Sequence, residues 1–478
     1  MAFTKNPVDK TQTTQRFNFV GGPEQRDFGA TKDQRLVNWM PEKTEGPEKQ
    51  NQQWWLRTRP GLDTLYTLGS GTPRGIYYWD VPSPGVLSVV GASVYINNTF
   101  LYTLSTSTGD VGFVEFVNDV GTRTLILVDG TYGYIFTANN TAPTVITDVD
   151  FPNPHIPTPI VIDGYLFLAK PNTQDVYNSD LNDPSSWTSG DFISAEMYPD
   201  TIQGLTRNNN YIYAVGTNSI ELLYDAANAS GSPLARHDSA VQQFGTPCIR
   251  TVVSTDTDVI MVGEMGRGGR SVWTIDGFKE TEIAAPAIRF VLDQEGTNIT
   301  NASAYCVKVA GQKLYVLNLT SRTFVYSLDS KLWFEWNFTY RPYDATDSNI
   351  GYPYVIVSAA TNVVIATMTD LVAQDLGTAI TCTITTSKLD FDTSDRKRMD
   401  LLVLLGDTPN TSGLSVQVQW SDDDYQTWSS ATSLSLNPIF AGIFRLGMFR
   451  RRALKFTYTQ PYLLRLEGME ITINKGQT

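Results

Sequence analysis

Across residues 89–368 the sequence repeats one pattern: a short apolar run, a turn, then another short apolar run. Residues 87–96 pass through Asn97-Asn98 into 100–104, residues 124–128 through Asp129-Gly130 into 132–137, and residues 160–162 through Asp163-Gly164 into 165–169. Further along, 211–215 turn at Gly216-Thr217-Asn218 into 220–224. Residues 259–262 cross a Gly-rich segment into 271–275, and 313–317 turn at Thr320-Ser321-Arg322 into 324–328. Asn, Asp and Gly tolerate the positive φ of tight hairpin turns, so these turns between β-rich runs are the strongest local hairpin signal. The units recur every ~35 to 55 residues, the spacing of propeller blades. The pattern predicts an all-β chain whose centre is a β-propeller of six or seven blades, closed by a strand at 76–79. Architecture alone leaves function open.

The pattern stops on both sides. Residues 1–74 are polar, rich in Gln, Glu, Lys, Pro and Gly, and lack strand periodicity, yet they hold Trp39, Trp54 and Trp55. They read as an extended N-terminal arm whose aromatics are either buried on the chain's own body or docked on a partner. Residues 75–376 carry the propeller. From 377 to 478 the apolar runs lengthen (380–385, 399–405, 414–420, 446–458, 462–473), the spacing of a β-sandwich domain. Short helices are expected only at 32–40, 287–294 and 369–375.

Charge narrows the partners. The net charge is −13 and the pI is near 4.7, so the chain lacks the cationic surplus with which proteins neutralise DNA phosphates. An acidic wall would instead let a duplex slide past. The three cysteines, Cys248, Cys306 and Cys382, are far apart among apolar residues and read as buried free thiols. The first seven residues show no apolar secretory core, and no apolar run reaches membrane-spanning length. The expected compartment is a reducing cytoplasm.

Catalytic chemistry finds no home in the sequence. His155 lies in a Pro-flanked loop and His237 in a polar one, and neither neighbours a nucleophile motif. Nucleophile-elbow, Walker-type and His-Glu-x-x-His patterns are missing, and Gly266-Arg267-Gly268-Gly269-Arg270 reads as a hairpin turn. The acidic clusters 390–392 and 422–424 lack the Gly and Glu of a calcium loop. No catalytic, cofactor or metal residue is assigned. Ser421, Asp423, Thr427 and Trp428 match the Asp-box hairpin Ser-x-Asp-x-Gly-x-Thr-Trp, with Tyr425 in place of Gly. Its role is local: the Asp accepts N–H groups across the turn while the Trp packs beneath. Arg450, Arg451 and Arg452 form the strongest basic cluster. On a strand, Arg450 and Arg452 would share one face. The trio reads as charged surface on an acidic protein or, more sharply, as a seam against an acidic neighbouring subunit, with phosphate backbone a third reading.

Three ordered segments carry a resemblance. They are Leu36-Val37-Asn38-Trp39-Met40-Pro41-Glu42 with Arg57-Thr58-Arg59-Pro60-Gly61-Leu62; Asp180-Leu181-Asn182-Asp183-Pro184-Ser185-Ser186-Trp187 continuing to Asn218–Tyr224; and Phe449-Arg450-Arg451-Arg452 leading to Leu466-Glu467-Gly468. Together they resemble the tail nozzle or hub proteins of short-tailed bacteriophages, also called packaged-DNA stabilisation proteins. The resemblance implies a virion tail component without catalytic chemistry, assembled in the host cytoplasm. Six copies would form a tube below the portal and adaptor rings. That tube would extend the channel for double-stranded DNA, help retain packaged DNA and anchor tail fibre or spike proteins. Two other readings stand beside it: a receptor-binding tail protein, and a glycan-binding or sialidase-like propeller.

Overall fold

The computed structural model describes residues 12–20, 33–43, 54–228, 230–237, 240–266, 269–437 and 440–475. Two compact units emerge. One comprises Asp63–Thr323 and Tyr340–Thr369, the other Met1–Leu62, Phe324–Thr339 and Asp370–Thr478.

The larger unit is a β-propeller. Its first blade is an antiparallel meander of Pro73–Trp79, Gly85–Val90, Ser93–Ile96 and Thr99–Thr103. Four further four-stranded meanders follow, the second running Gly112–Val117, Arg123–Val128, Gly133–Phe136 and Thr144–Val145. Turn chemistry sets the hairpins: Asn97 sits at φ 56°, Gly130 at 89°, and Asp163 and Gly164 at 47° and 84°. The run 87–96 is in fact two strands, because Gly91 at φ 55° turns the chain between them.

The same geometry explains why the middle strands read as continuous apolar runs rather than alternating ones. Leu125 and Leu127 join a core with Trp79, Leu87, Val89 and Val94 of the first blade. Their neighbours Ile126 and Val128 point the other way, into a core with Leu166, Leu168 and Trp187 of the third. Each blade is thus buried on both faces, at ~1.5 to 3 kcal/mol for each large apolar side chain removed from water. Ring closure appears in the core where Ile76, Val86 and Val90 meet Ile356, Val363 and Ile365.

The closing strand differs from expectation. Residues 76–79 belong to the first strand of the first blade. The last meander, through Tyr354–Ser358 and Val363–Thr369, is completed instead by Gly61–Thr67. Pairing continues past that strand, with Leu68 N–H donating to the Val363 carbonyl (2.8 Å).

The smaller unit has two sheets over one core. One runs Trp39–Lys43, Trp54–Thr58, Arg465–Lys475, Lys397–Gly406, Gly442–Phe444, with Gln12–Asn18 also paired to Arg465–Lys475. In the other, Arg35–Val37 pairs Cys382–Thr385, which pairs Ala453–Tyr458 and then Ser415–Ser421. Leu56, Leu402, Leu404, Ile471 and Ile473 of the first sheet face Leu36, Ile384, Phe456 and Val418 of the second. The segment expected as an arm therefore contributes strands to both sheets. Residues 33–43 form strands rather than a helix, and 374–375 are a strand too. Pro286–Gln294 is the α-helix among the described residues, begun by a proline whose missing N–H costs nothing at a helix start.

Candidate functional site

The N-terminal resemblance segment folds into a buried polar hub of the smaller unit. Asn38 takes the left-handed conformation (φ 63°), which Asn tolerates better than most residues. Its Oδ1 accepts from Arg59 Nε (2.9 Å) and Asn337 N–H (2.6 Å), and its Nδ2 donates to the Thr381 carbonyl (2.8 Å). Arg59 is fully buried. Its Nη2 donates to Asp375 Oδ2 (2.6 Å) and to the Asn337 carbonyl (3.1 Å), and its Nη1 to the Pro60 carbonyl (2.8 Å). The guanidinium also lies 4.3 Å from the centroid of Phe338. Burying this ion pair costs solvation, which the hydrogen bonds and ring contact offset. Asn38 and Arg59 thus lock distant chain segments together.

The central segment is equally structural. Asn182, at φ 61°, turns the hairpin, and its N–H donates to the Gly164 carbonyl (2.8 Å). Ser186 Oγ donates to Asp180 Oδ2 (2.6 Å). Trp187 is buried; its Nε1 donates to the Pro184 carbonyl (3.0 Å), its N–H to Asp148 Oδ2 (3.1 Å), and its ring meets Phe151 edge-on at 5.3 Å. Glu221 is buried with Oε1 accepting from Met197 N–H (2.9 Å), and burial pushes its carboxyl above the usual carboxylate range.

The arginine cluster does not lie on a strand with alternating faces. Ala453–Tyr458 begins after it, and Arg452 joins Leu389 in an isolated bridge. Arg452 is buried and forks onto Asp422, with Nε to Oδ1 and Nη2 to Oδ2 both at 2.7 Å. Its guanidinium stands 4.6 Å from the centroid of Phe449. Arg450 and Arg451 are exposed. Among the tryptophans, Trp39 is buried while Trp54 and Trp55 are half-buried, with Arg465 over the Trp55 ring at 5.1 Å. Trp54, Trp55, Arg450 and Arg451 therefore have surface to offer a neighbour, whereas Trp39 and Arg452 are spent within their own chain.

The Asp-box-like segment forms its hairpin. Asp423 accepts from Ser421 Oγ (2.8 Å), Thr427 N–H (2.9 Å) and the Thr427 hydroxyl, and these bonds, that hydroxyl's first, draw its carboxyl down to about 2. Tyr425 accepts the left-handed φ of 67° that Gly usually supplies. Its hydroxyl donates to the Thr386 carbonyl (3.0 Å), while Lys455 sits 4.8 Å from the Trp428 centroid. The four matched residues organise a turn and one cation–π contact.

Neither histidine is placed as a general base. His155 is buried, with Nδ1 against the Pro152 carbonyl (2.9 Å) and Nε2 accepting from Gly130 N–H (3.2 Å). Burial lowers its pKa, so the ring is neutral. His237 packs against Phe278 (4.7 Å) between Tyr211 and Tyr224. The cysteines are free thiols. Cys248 and Cys382 are buried, Cys306 is half-buried, and burial pushes Cys306 and Cys382 up to about 12, far from thiolate reactivity. Among the described residues, no helix is long and apolar enough to cross a membrane.

A family model described as bacteriophage P22 Gp10, beta-propeller, matches residues 11–369. A search of curated proteins finds no match. Among solved structures, the N-terminal domain of Nup159 aligns with TM-score 0.37 and 11% identity over 70% of this chain and 98% of its own. The extracellular domain of a one-component system from B. thetaiotaomicron aligns with TM-score 0.40 and 11% identity over 81% and 48%. An exo-β-1,3-galactanase from Phanerochaete chrysosporium gives TM-score 0.27 and 9% identity over 87% and 100%. Scores this low have no bearing on function.

Proposed function

The chain belongs to the bacteriophage P22 Gp10 β-propeller family of phage tail structural proteins, and on that premise we propose that it forms the tail nozzle or hub of a short-tailed phage. In this reading six copies assemble below the portal and adaptor rings, continue the DNA channel, help retain packaged DNA and anchor fibres or spike. We read the smaller unit's two packed sheets as a β-sandwich, larger than the expected 377–478 because strands from residues 12–58 join it. The observation that carries the reading is the family match across residues 11–369; Asn38, Arg59 and Trp187, from the segments that carry the resemblance, are buried and hydrogen-bonded within the chain. The role is non-enzymatic. An acidic chain suits a conduit through which DNA must slide, and Trp54, Trp55, Arg450 and Arg451 are the residues assigned to subunit or adaptor contacts.

Electron microscopy of the purified protein, alone and with a portal–adaptor complex, tests this. A tube seated on that complex is expected; a monomer that ignores it would overturn the reading. Sialoside turnover abolished by a substitution within the propeller would favour the glycan-active alternative instead.

A further inference from the structure

We propose that the outer edge of the first sheet of the smaller unit, formed by Gly442–Phe444 and Met448–Phe449, docks onto an acidic face of a second copy of this chain. The inference rests on the ring reading above and names the surface that makes the ring.

Gly442–Phe444 pairs Lys397–Gly406 on one side, and among the described residues no strand lies on its other side. Exposed edges are templates for association, and proteins that leave them free usually blunt them with charge or proline on the strand itself. This one carries large apolar side chains: Phe440 is 51% exposed, Phe444 64% and Met448 55%. The aromatics are held in place. The Phe440 ring lies over Gly442, where an added Cβ would come within 2.6 Å of it, and the Phe440 and Phe444 rings are 6.2 Å apart and tilted by 31°. Such a pair loses little side-chain entropy on binding, which favours a hot spot.

Cations follow the apolar residues along the same edge. Arg445, at φ 63°, and Gly447, at φ 82°, make the turn between the two strands. Arg445, Arg450 and Arg451 are exposed and form no ion pair among the described residues; Arg450 is steadied by donating to the Ser394 carbonyl (2.6 Å). Three unneutralised guanidiniums on a chain of net charge −13 are the complement of that chain's own prevailing surface. Arginine beside exposed aromatics is the composition enriched at interface centres. A patch on one copy that meets a different surface on the next is a heterologous contact, the kind that closes rings.

The test uses the full chain and two triple variants: Phe440→Ser with Phe444→Ser and Met448→Ser, and Arg445→Glu with Arg450→Glu and Arg451→Glu. All six positions are exposed, and circular dichroism verifies the fold. Light scattering after size exclusion, at low and high salt, reads the oligomer. Wild type is expected to oligomerise, and both variants to lose at least ~10-fold in self-affinity, a conservative value for removing hot-spot residues. The charge variant's residual association should strengthen as salt is added, because Glu facing an acidic surface repels it and salt screens that repulsion. Variants that assemble like wild type would overturn this surface while leaving the ring reading standing. A wild type that stays monomeric under all conditions would overturn both. A charge variant that keeps its oligomer but loses binding to a DNA duplex would assign the patch to nucleic acid and also overturn the proposal.

Discussion

Arg59 and Asp375 show how much a single buried pair can decide. Both are essentially without solvent contact, and 2.6 Å separates Arg59 Nη2 from Asp375 Oδ2. Replacing Asp375 by Ala leaves a guanidinium buried without its counter-ion, at an expected ~3–5 kcal/mol. Arg450→Met, at an exposed site, should stay within ~0.5 kcal/mol. Urea titration distinguishes them, and equal midpoints would contradict the argument. Nothing local to Arg59 announces this role, because its carboxylate partner lies 316 residues away in sequence. Asp344 gives a pH signature in the propeller. Burial is the main force pushing its carboxyl up to about 6, while the Ala345 N–H and Arg250 pull it down. A raised acid favours the folded state while protonated, so its contribution is full below the unfolded pKa near 3.8 and is lost as pH rises toward 6. Asp344→Asn should therefore be more stable than wild type at pH 7, by up to ~3 kcal/mol, with the gap shrinking to nothing near pH 4. A gap that does not change with pH would show that Asp344 titrates normally.

At the scale of elements, the hairpins were the most legible feature. Asp163-Gly164 and Asp129-Gly130 mark their turns because the backbone there needs a φ that few other residues accept. Where the residue type departs from that rule, the outcome was hidden. Tyr425 stands where an Asp-box hairpin has Gly, and the sequence left the turn geometry open. The structure resolves it by holding Tyr425 at φ 67° with its hydroxyl on the Thr386 carbonyl. Tyr425→Gly then sets two effects against each other. Relief of the left-handed backbone returns ~1–2 kcal/mol. Loss of the half-buried ring removes ~2 kcal/mol and loss of its hydrogen bond ~1 kcal/mol. The balance predicts net destabilisation of ~1–2 kcal/mol, measurable by urea unfolding; a stabilised variant would show that backbone strain dominates. The strand expected through the arginine cluster is interrupted for a related reason. A basic run next to a strand looks like strand, yet the chain bends at 450–451 so that Arg452 can reach Asp422.

At the scale of the molecule, long-range closure was the part that sequence could not show. A strand's partner is chosen by where the chain returns, and that carries no local pattern. The apolar run 76–79 looked like the closing strand, but it opens the first blade, and Gly61–Thr67 closes the ring against Val363–Thr369 across roughly 300 residues of intervening chain. The polar N-terminal segment likewise gave no strand periodicity, since Gln12–Asn18 lies at a sheet edge with every residue but Thr13 and Phe17 exposed, and its pairing with Arg465–Lys475 supplies the order. The consequence is testable by deletion. Removing residues 1–58 takes away Gln12–Asn18, Arg35–Val37, Trp39–Lys43 and Trp54–Thr58, and with them the buried Trp39, Leu36 and Leu56 of the smaller unit's core. Removing residues 1–70 also takes the closing strand, and leaves the backbone edge of Val363–Thr369 unpaired beside Ile356 and Ile365. The first deletion should unfold the smaller unit while the propeller still melts cooperatively. The second should abolish the cooperative transition of the propeller as well, because an unclosed ring exposes apolar faces at both ends. Hydrogen exchange followed by residue separates the two. Strong protection of 354–369 in the longer deletion would mean that the ring holds without its N-terminal strand, and that closure through Gly61–Thr67 contributes little.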